Sequence, residues 1–372
     1  MNTSDIDQML AEKGNLCISI VVPTHRYSRE RIQDPKTVYK AVEKAKHLLQ
    51  NSAWPKDTIQ QIEIKLNAVR QKIDYLHLQD GLAIFVSPNI SKLFLLPFQV
   101  KEKVILAKKF EIRDLFYYAQ FLKPYYLLAV SKKRIPLYRG EGRDLHEIRN
   151  NDFPQEYAEE YEYAHPSVDS SSSMSLKSFE RDKSVLQEIR QKTFLKHVDH
   201  AINKYLKSDI PLLIAGVEET LSNFEHVTHH LNHVVGKIQG DYAHDALHAL
   251  SDLAWKKMNE HIKASQKDIL LKLQEDIGRR LAVDGIREVW KSAKEGKGLT
   301  LIVEKDFQPT AYIDPSNDLK IYLSPPSGKY EIILDAADEI IGIVKEKGGN
   351  IVIVENGELE QYGHIAMLLR YE

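Results

Sequence analysis

The chain has 372 residues, 43% of them hydrophobic and 28% charged, with a formal net charge of −2. This is a globular composition with length for two or three domains. It lacks the global basic excess of a dedicated DNA-binding protein, so DNA is not an expected partner and any nucleic-acid contact has to come from local patches. Cys17 is the only cysteine, which excludes an internal disulfide framework or a cysteine-based zinc site and suits a reducing cytoplasm. The opening "MNTSDIDQMLAEKG" does not read as a signal peptide. Runs such as "LFLLPF" and "YYLLAV" fall far short of the roughly 20 apolar residues that cross a bilayer, so no membrane partner is expected.

Residues 1–122 form the first expected domain, an α+β layer. "CISIVV", closed by Pro23, reads as a buried strand. A helix begins near Pro35, with Val38, Val42, Ala45 and Leu49 at helical spacing, and proline suits its first turn. Trp54-Pro55 breaks that pattern, and a second helix carries Ile59, Ile62, Leu66, Val69 and Ile73 on one face. Asp80-Gly81 then turns the chain into strands at "LAIFVS", "LFLLPF" and "KVILAKKF".

Residues 123–260 form the second, an α/β domain. "YYLLAVS" and "KKRIPLYRGEG" read as two strands joined by a basic turn. "IPLLIAGV" is apolar throughout, as in a parallel strand buried on both faces. Between them lie an acidic, tyrosine-rich stretch and a serine-rich loop expected at 165–178, followed by a helix from about Phe179 to Lys207. "VEETLSNFEHVTHHLNH" reads as one helix and "VVGKIQG" as a strand, and a long helical region covers about residues 243–281. Residues 261–372 alternate helix and strand, with Gly348-Gly349 as a turn, which suggests a small α/β/α sandwich.

In order, the opening "SIVVP" strand, the helix pair, "DGLAIFV" and "KVILAKKF", the central "LLIAG", and the closing "VKEKGGNIVIVENG" and "IAMLLRYE" resemble the archaeo-eukaryotic class-I peptide-chain release factors and their Pelota relatives. The bacterial members are the nearest group. The resemblance implies a three-domain architecture whose last domain is akin to kink-turn-binding ribosomal proteins. It also implies a cytoplasmic, tRNA-mimicking protein that binds the ribosomal A site, with ribosomal RNA and a translational GTPase as partners, acting in ribosome rescue, hibernation or translational control.

The family's active residues do not carry over. Its Gly-Gly-Gln loop corresponds to "HPSVDSSSSMSLKS", which holds neither residue type. Of its Tyr-x-Cys-x-x-x-Phe pattern only Phe110 remains, with Val104 and Leu106 in the other places. Its Asn-Ile-Lys-Ser position reads "QNSAWPK", and "NISK" at 89–92 lies elsewhere. Codon-dependent peptide release is therefore not expected, and no cofactor is implied.

Four features could carry function. The serine loop, with His165, Pro166, Ser170, Ser171, Ser172 and Ser173, would lie near the ribosome's peptidyl-transferase centre by family position; a plain linker is the alternative. Ser175 or Ser178 could cap the helix after it. Lys132, Lys133, Arg134, Arg139 and Arg143, with Tyr138 among them, could meet RNA phosphates and bases, although surface hairpins also carry cations for solubility. His226, His229, His230 and His233 would share a helix face. With Glu225, His197 or His200 they could chelate zinc, although solvated histidines are commoner and no metal is assigned. Glu156, Glu159, Glu160 and Glu162 could bind Mg²⁺ in a nuclease or simply form a solvated face. "PSGKYE" lacks P-loop spacing. The alternatives to a non-enzymatic ribosome factor are a metal-dependent nuclease, a peptidyl-tRNA hydrolase, or a protein-binding adaptor on the same fold.

Overall fold

The computed structural model describes residues 3–26, 29–157, 173–206, 210–242 and 247–371. Two compact units form: Met1–Gln120 with Gln266–Glu372, and Phe121–Ser265.

The first segment contains helix α1 (Thr3–Ala11), strand β1 (Cys17–Pro23), a 3-10 turn (Arg29–Gln33), helices α2 (Asp34–Gln50) and α3 (Lys56–Gln71), strands β2 (Gly81–Val86), β3 (Ser91–Leu96) and β4 (Lys103–Ala107), and helix α4 (Arg113–Phe121). The strands make an antiparallel sheet in the order β3-β2-β1-β4. Alternation sorts β1 into two faces. Ile18, Ile20 and Val22 pack with Val38, Val42, Ala45 and Leu49 of α2 and Ile62 and Leu66 of α3. Ser19 lies on the other face, where its hydroxyl accepts the Glu111 N–H at 2.9 Å.

The middle of the chain runs through β5 (Tyr125–Ala129), β6 (Arg134–Ile135), β7 (Leu137–Glu141), β8 (Asp144–Glu147), β9 (Gln155–Glu156), α5 (Ser173–Ile202), β10 (Leu212–Gly216), α6 (Glu218–Val227), β11 (Val234–Gln239) and α7 (Leu247–Gly278). Its sheet has the order β11-β10-β5-β7-β8. β10 is parallel to both neighbours and buried at every residue, which accounts for its unbroken apolar sequence. Phe194, Leu195 and Val198 of α5, with Leu221 and Phe224 of α6, cover one face; Leu250, Ala254 and Met258 of α7 cover the other.

The last segment contains β12 (Ala282–Asp284), α8 (Gly285–Glu295), β13 (Gly298–Glu304), β14 (Ala311–Asp314), β15 (Asn317–Tyr322), β16 (Glu331–Ile333), α9 (Ala336–Glu346), β17 (Asn350–Val354) and β18 (Ile365–Leu369). A sheet of order β12-β18-β13-β17 has α8 and α9 on one face. Leu273, from the C-terminal half of α7, packs with Ile302, Val354, Ala366 and Leu368 on the other. This is a three-layer α/β/α arrangement. The turn before β17 needs the left-handed backbone of Gly348, at φ +74°. The β15-β14-β16 sheet is an addition that sequence periodicity does not announce.

Within the first unit, the two ends of the chain meet in a buried charge cluster. Arg113, fully buried, donates to the Phe307 carbonyl at 2.5 Å and to the Asp335 carboxylate. Asp338 accepts the N–H groups of Ile112 and Arg113 at 3.0 and 3.1 Å, at the start of α4. Asp335 accepts the Asp338 N–H at 3.0 Å and so caps α9. Lys109 pairs with Glu339 at 2.7 Å. Two helix N-termini thus bring partial positive charge to the same acids that surround Arg113.

Glu111 is the odd member of this cluster. Burial first, then the Asp338 and Asp335 carboxylates, push its carboxyl up to about 11 from an ordinary 4.5. The folded protein therefore keeps a proton that the unfolded chain releases, and stability falls as pH rises from about 4.5 towards about 11. Glu111→Gln mimics the protonated acid. It is expected to leave stability unchanged in acid and to flatten that decline by up to about 1.4 kcal/mol per pH unit, read from urea titrations at several pH values. An unchanged pH slope would show that Glu111 is ionised in the folded state.

Candidate functional site

The cationic residues of the middle unit do not form one patch. Lys132, Lys133 and Arg134 lie where β5 has ended and β7 is about to begin, at the carboxyl end of β5 and β10. Arg143 lies in the β7–β8 turn, at the far end of β7. Five strand residues separate those ends by about 17 Å.

Carboxylates of the same unit already hold most of these cations. Lys132 pairs with Glu219 at 3.0 Å and Arg139 with Glu141 at 3.0 Å. Arg134 bonds Glu147 and lies 3.9 Å from Glu156. Arg149 meets Glu147 at 2.8 Å. Burial opposes ionisation of Glu147, but the hydrogen bonds from Arg149 and Arg134 outweigh it and hold the carboxyl below its ordinary value. Lys133 and Arg143 are exposed and carry no ion pair among the described residues. Tyr138 is half-buried and packs against the cluster of Tyr125, Leu127 and Leu213, so its ring is committed to the core. Burial also raises the pKa of its hydroxyl.

The histidine stretch corrects the sequence reading. Helix α6 ends at Val227, and only a short 3-10 turn, Leu231–His233, follows. His226, His229, His230 and His233 therefore do not share one helix face. The cause is Asp199, a buried carboxylate from α5. It accepts the Thr228 hydroxyl at 2.5 Å, the His229 N–H at 3.3 Å and the His229 ring Nδ1 at 2.9 Å. The His230 ring lies 3.9 Å away. His233 Nδ1 instead meets the Ile210 carbonyl at 3.2 Å. Among the described residues no group of three or more His, Cys, Asp or Glu side chains is placed to hold a metal ion. Asp199 had no signal in the sequence, because its partners lie about thirty residues on and nothing in the spacing links them.

The helix after the serine-rich stretch also begins earlier than expected. Helix α5 begins at Ser173, so Ser173 is helical, and Ser175 and Ser178 lie inside the helix rather than capping it. His165, Pro166, Ser170, Ser171 and Ser172 lie outside the described residues, as do Glu159, Glu160 and Glu162. Glu156 is on β9, which pairs with β6. No helix among the described residues is long and apolar enough to cross a membrane.

Residues 124–297, most of the middle unit and the start of the last segment, match the family model for bacterial archaeo-eukaryotic release factor family 3. No curated protein matches. Among solved structures, Pelota of Archaeoglobus fulgidus is similar at 12% identity, with 78% of this chain and 84% of that chain covered and a TM-score of 0.36. A Saccharomyces cerevisiae translation termination-like factor of RNA quality control is similar at 12% identity, over 76% and 73%, with a TM-score of 0.39. A model of ribosome-bound archaeal Pelota is similar at 10% identity, over 100% and 94%, with a TM-score of 0.40.

Proposed function

We propose that this chain is a release-factor-like, ribosome-associated translation factor that occupies the A site in a tRNA-like pose. The match of residues 124–297 to a release-factor family carries this reading. The action proposed is rescue, hibernation or translational control in the cytoplasm, with a translational GTPase as a second partner.

Peptide release is left out, because "HPSVDSSSSMSLKS" supplies neither glycine nor glutamine. Ester hydrolysis needs a placed water and oxyanion donors, and these residue types do not nominate them. The segment holding His165, Pro166 and Ser170–Ser173 is proposed to occupy the ribosome's catalytic centre rather than to act on an ester there. On the middle unit, Lys133 supports RNA contact best among the cations near β5, because Lys132 and Arg134 already face carboxylates.

The reading predicts co-sedimentation with ribosomes from stressed cells, weakening as salt is raised because phosphate contacts release counterions. Lys133→Glu should weaken it further. Absence from ribosomes under every growth condition would overturn the reading.

A further inference from the structure

Among the described residues, a group of cations without carboxylate partners lies on the first unit, at the open end of the α2–α3 hairpin. On α2, Lys36, Tyr39 and Lys40 stand at i, i+3 and i+4 on the exposed side, while Val38, Ala41 and Val42 face the sheet. The hairpin brings the end of α3 beside them, with the Arg70 guanidinium 5.4 Å from the centre of the Tyr39 ring. Lys72 follows directly and is exposed. The 3-10 turn joins the same surface: Arg31 donates from Nε to the Tyr75 carbonyl at 3.2 Å and also bonds the Leu76 carbonyl. Those acceptors carry no net charge, so the positive charge of Arg31 is not cancelled.

Arg29, Arg31, Lys36, Lys40, Arg70 and Lys72 thus converge from three elements, and none has an ion pair among the described residues. The nearby acids are engaged with imidazoles. Asp34 is buried and bonds His25 Nδ1 at 2.8 Å, Glu30 meets His25 Nε2 at 3.1 Å, and Asp74 meets His77 at 2.6 Å. The six cations outnumber these three acids and none of them is paired, so the surface keeps a net positive charge, unlike the β5–β7 region, where carboxylates answer the cations. It lies at the opposite end of the hairpin from residues 51–55, which connect α2 to α3.

We propose that this surface binds RNA, with Lys36, Lys40 and Lys72 on backbone phosphates and the Tyr39–Arg70 pair offering a flat face to a base. Lysines provide compact charges for phosphates, and a half-exposed tyrosine with a guanidinium over it is the combination that stacks on unpaired bases. The inference takes the nature of the partner from the ribosome-associated reading and adds the surface that meets it. Exposed Ile32 and Leu76 border the patch and would suit an acidic protein instead.

The full chain is titrated into a short fluorescein-labelled oligouridylate, followed by anisotropy at several salt concentrations. Lys36→Glu with Lys40→Glu is expected to weaken binding about tenfold or more and to lower the salt slope by about 1.4, two single-strand phosphate contacts. Tyr39→Ala should weaken binding while leaving that slope unchanged. Equal thermal midpoints confirm intact folding. The proposal is overturned if wild type does not bind the oligouridylate, or if the double variant binds it with unaltered affinity and slope. It is equally overturned if the double variant loses ribosomes while keeping RNA, which would identify an acidic protein as the partner. Wild-type co-sedimentation, measured separately, reports on ribosome association itself, so one idea can fail without the other.

Discussion

Arg113→Ala is expected to destabilise the first unit by about 3–5 kcal/mol, enough to unfold it or nearly so. The guanidinium is fully buried among Asp335, Asp338 and Glu111 and also holds the Phe307 carbonyl. Its removal leaves Asp335 as an uncompensated buried charge and opens a cavity as well. Urea unfolding should show the transition of this unit shifted and that of the middle unit kept, because none of these partners belongs to Phe121–Ser265. Arg113→Met with Asp335→Leu removes both charges and fills the space. It should recover part of the loss, although Asp335 also caps α9 and that hydrogen bond is not restored. A single alanine variant as stable as wild type would mean that the cluster holds nothing together.

Gly216→Ala is the second large effect, about 3 kcal/mol on the middle unit. Strand β10 ends at Gly216 and the chain turns at once into α6. A Cβ there would lie 2.5 Å from the Val130 carbonyl oxygen and 3.0 Å from the Thr220 hydroxyl. The oxygen is backbone, and its residue is fixed by the Val130 N–H bond to the Ala215 carbonyl at 2.7 Å, so no rotamer change relieves the contact. The strands must separate, and overpacking of this kind costs up to the figure given. Hydrogen exchange should report the damage as faster exchange at Leu213–Ala215, with the first unit unaffected. Protection equal to wild type would show that the β5–β10 junction can yield.

The apolar strands were legible because burial leaves a direct mark: "CISIVV" and "LLIAG" are buried on both faces and contain little else. The faces of α2 and α3 were legible by spacing for the same reason. What stayed hidden depended on distant partners. Helix α4 carries Arg113 and Asp114 on its buried side, a pattern that reads as surface until Asp335 and Lys103 are seen beside them. Thr228 through His233 look helical in isolation, yet one carboxylate on α5 ends the helix at Val227. The candidate site suffered in the same way. "SKKRIPLYRGEGR" advertises its cations, while Glu219 and Glu147, which answer two of them, lie further along the chain. Conversely, Lys36 and Arg70 look like scattered charges until the hairpin folds them together.

Sequence order gives the charge cluster a consequence during synthesis. The amides of Ile112 and Arg113 leave the ribosome early, but their acceptor, Asp338, is encoded more than two hundred residues later. At roughly 5–20 residues per second that interval is on the order of ten seconds or longer. The middle unit, whose contacts are all contiguous in the chain, can fold during the delay. The first-made sheet meanwhile waits with an unpartnered cation, and only the last-made helix completes it. A nascent chain that stalls before Asp335 therefore leaves Arg113, in its own first third, without the carboxylate that holds it in the finished fold.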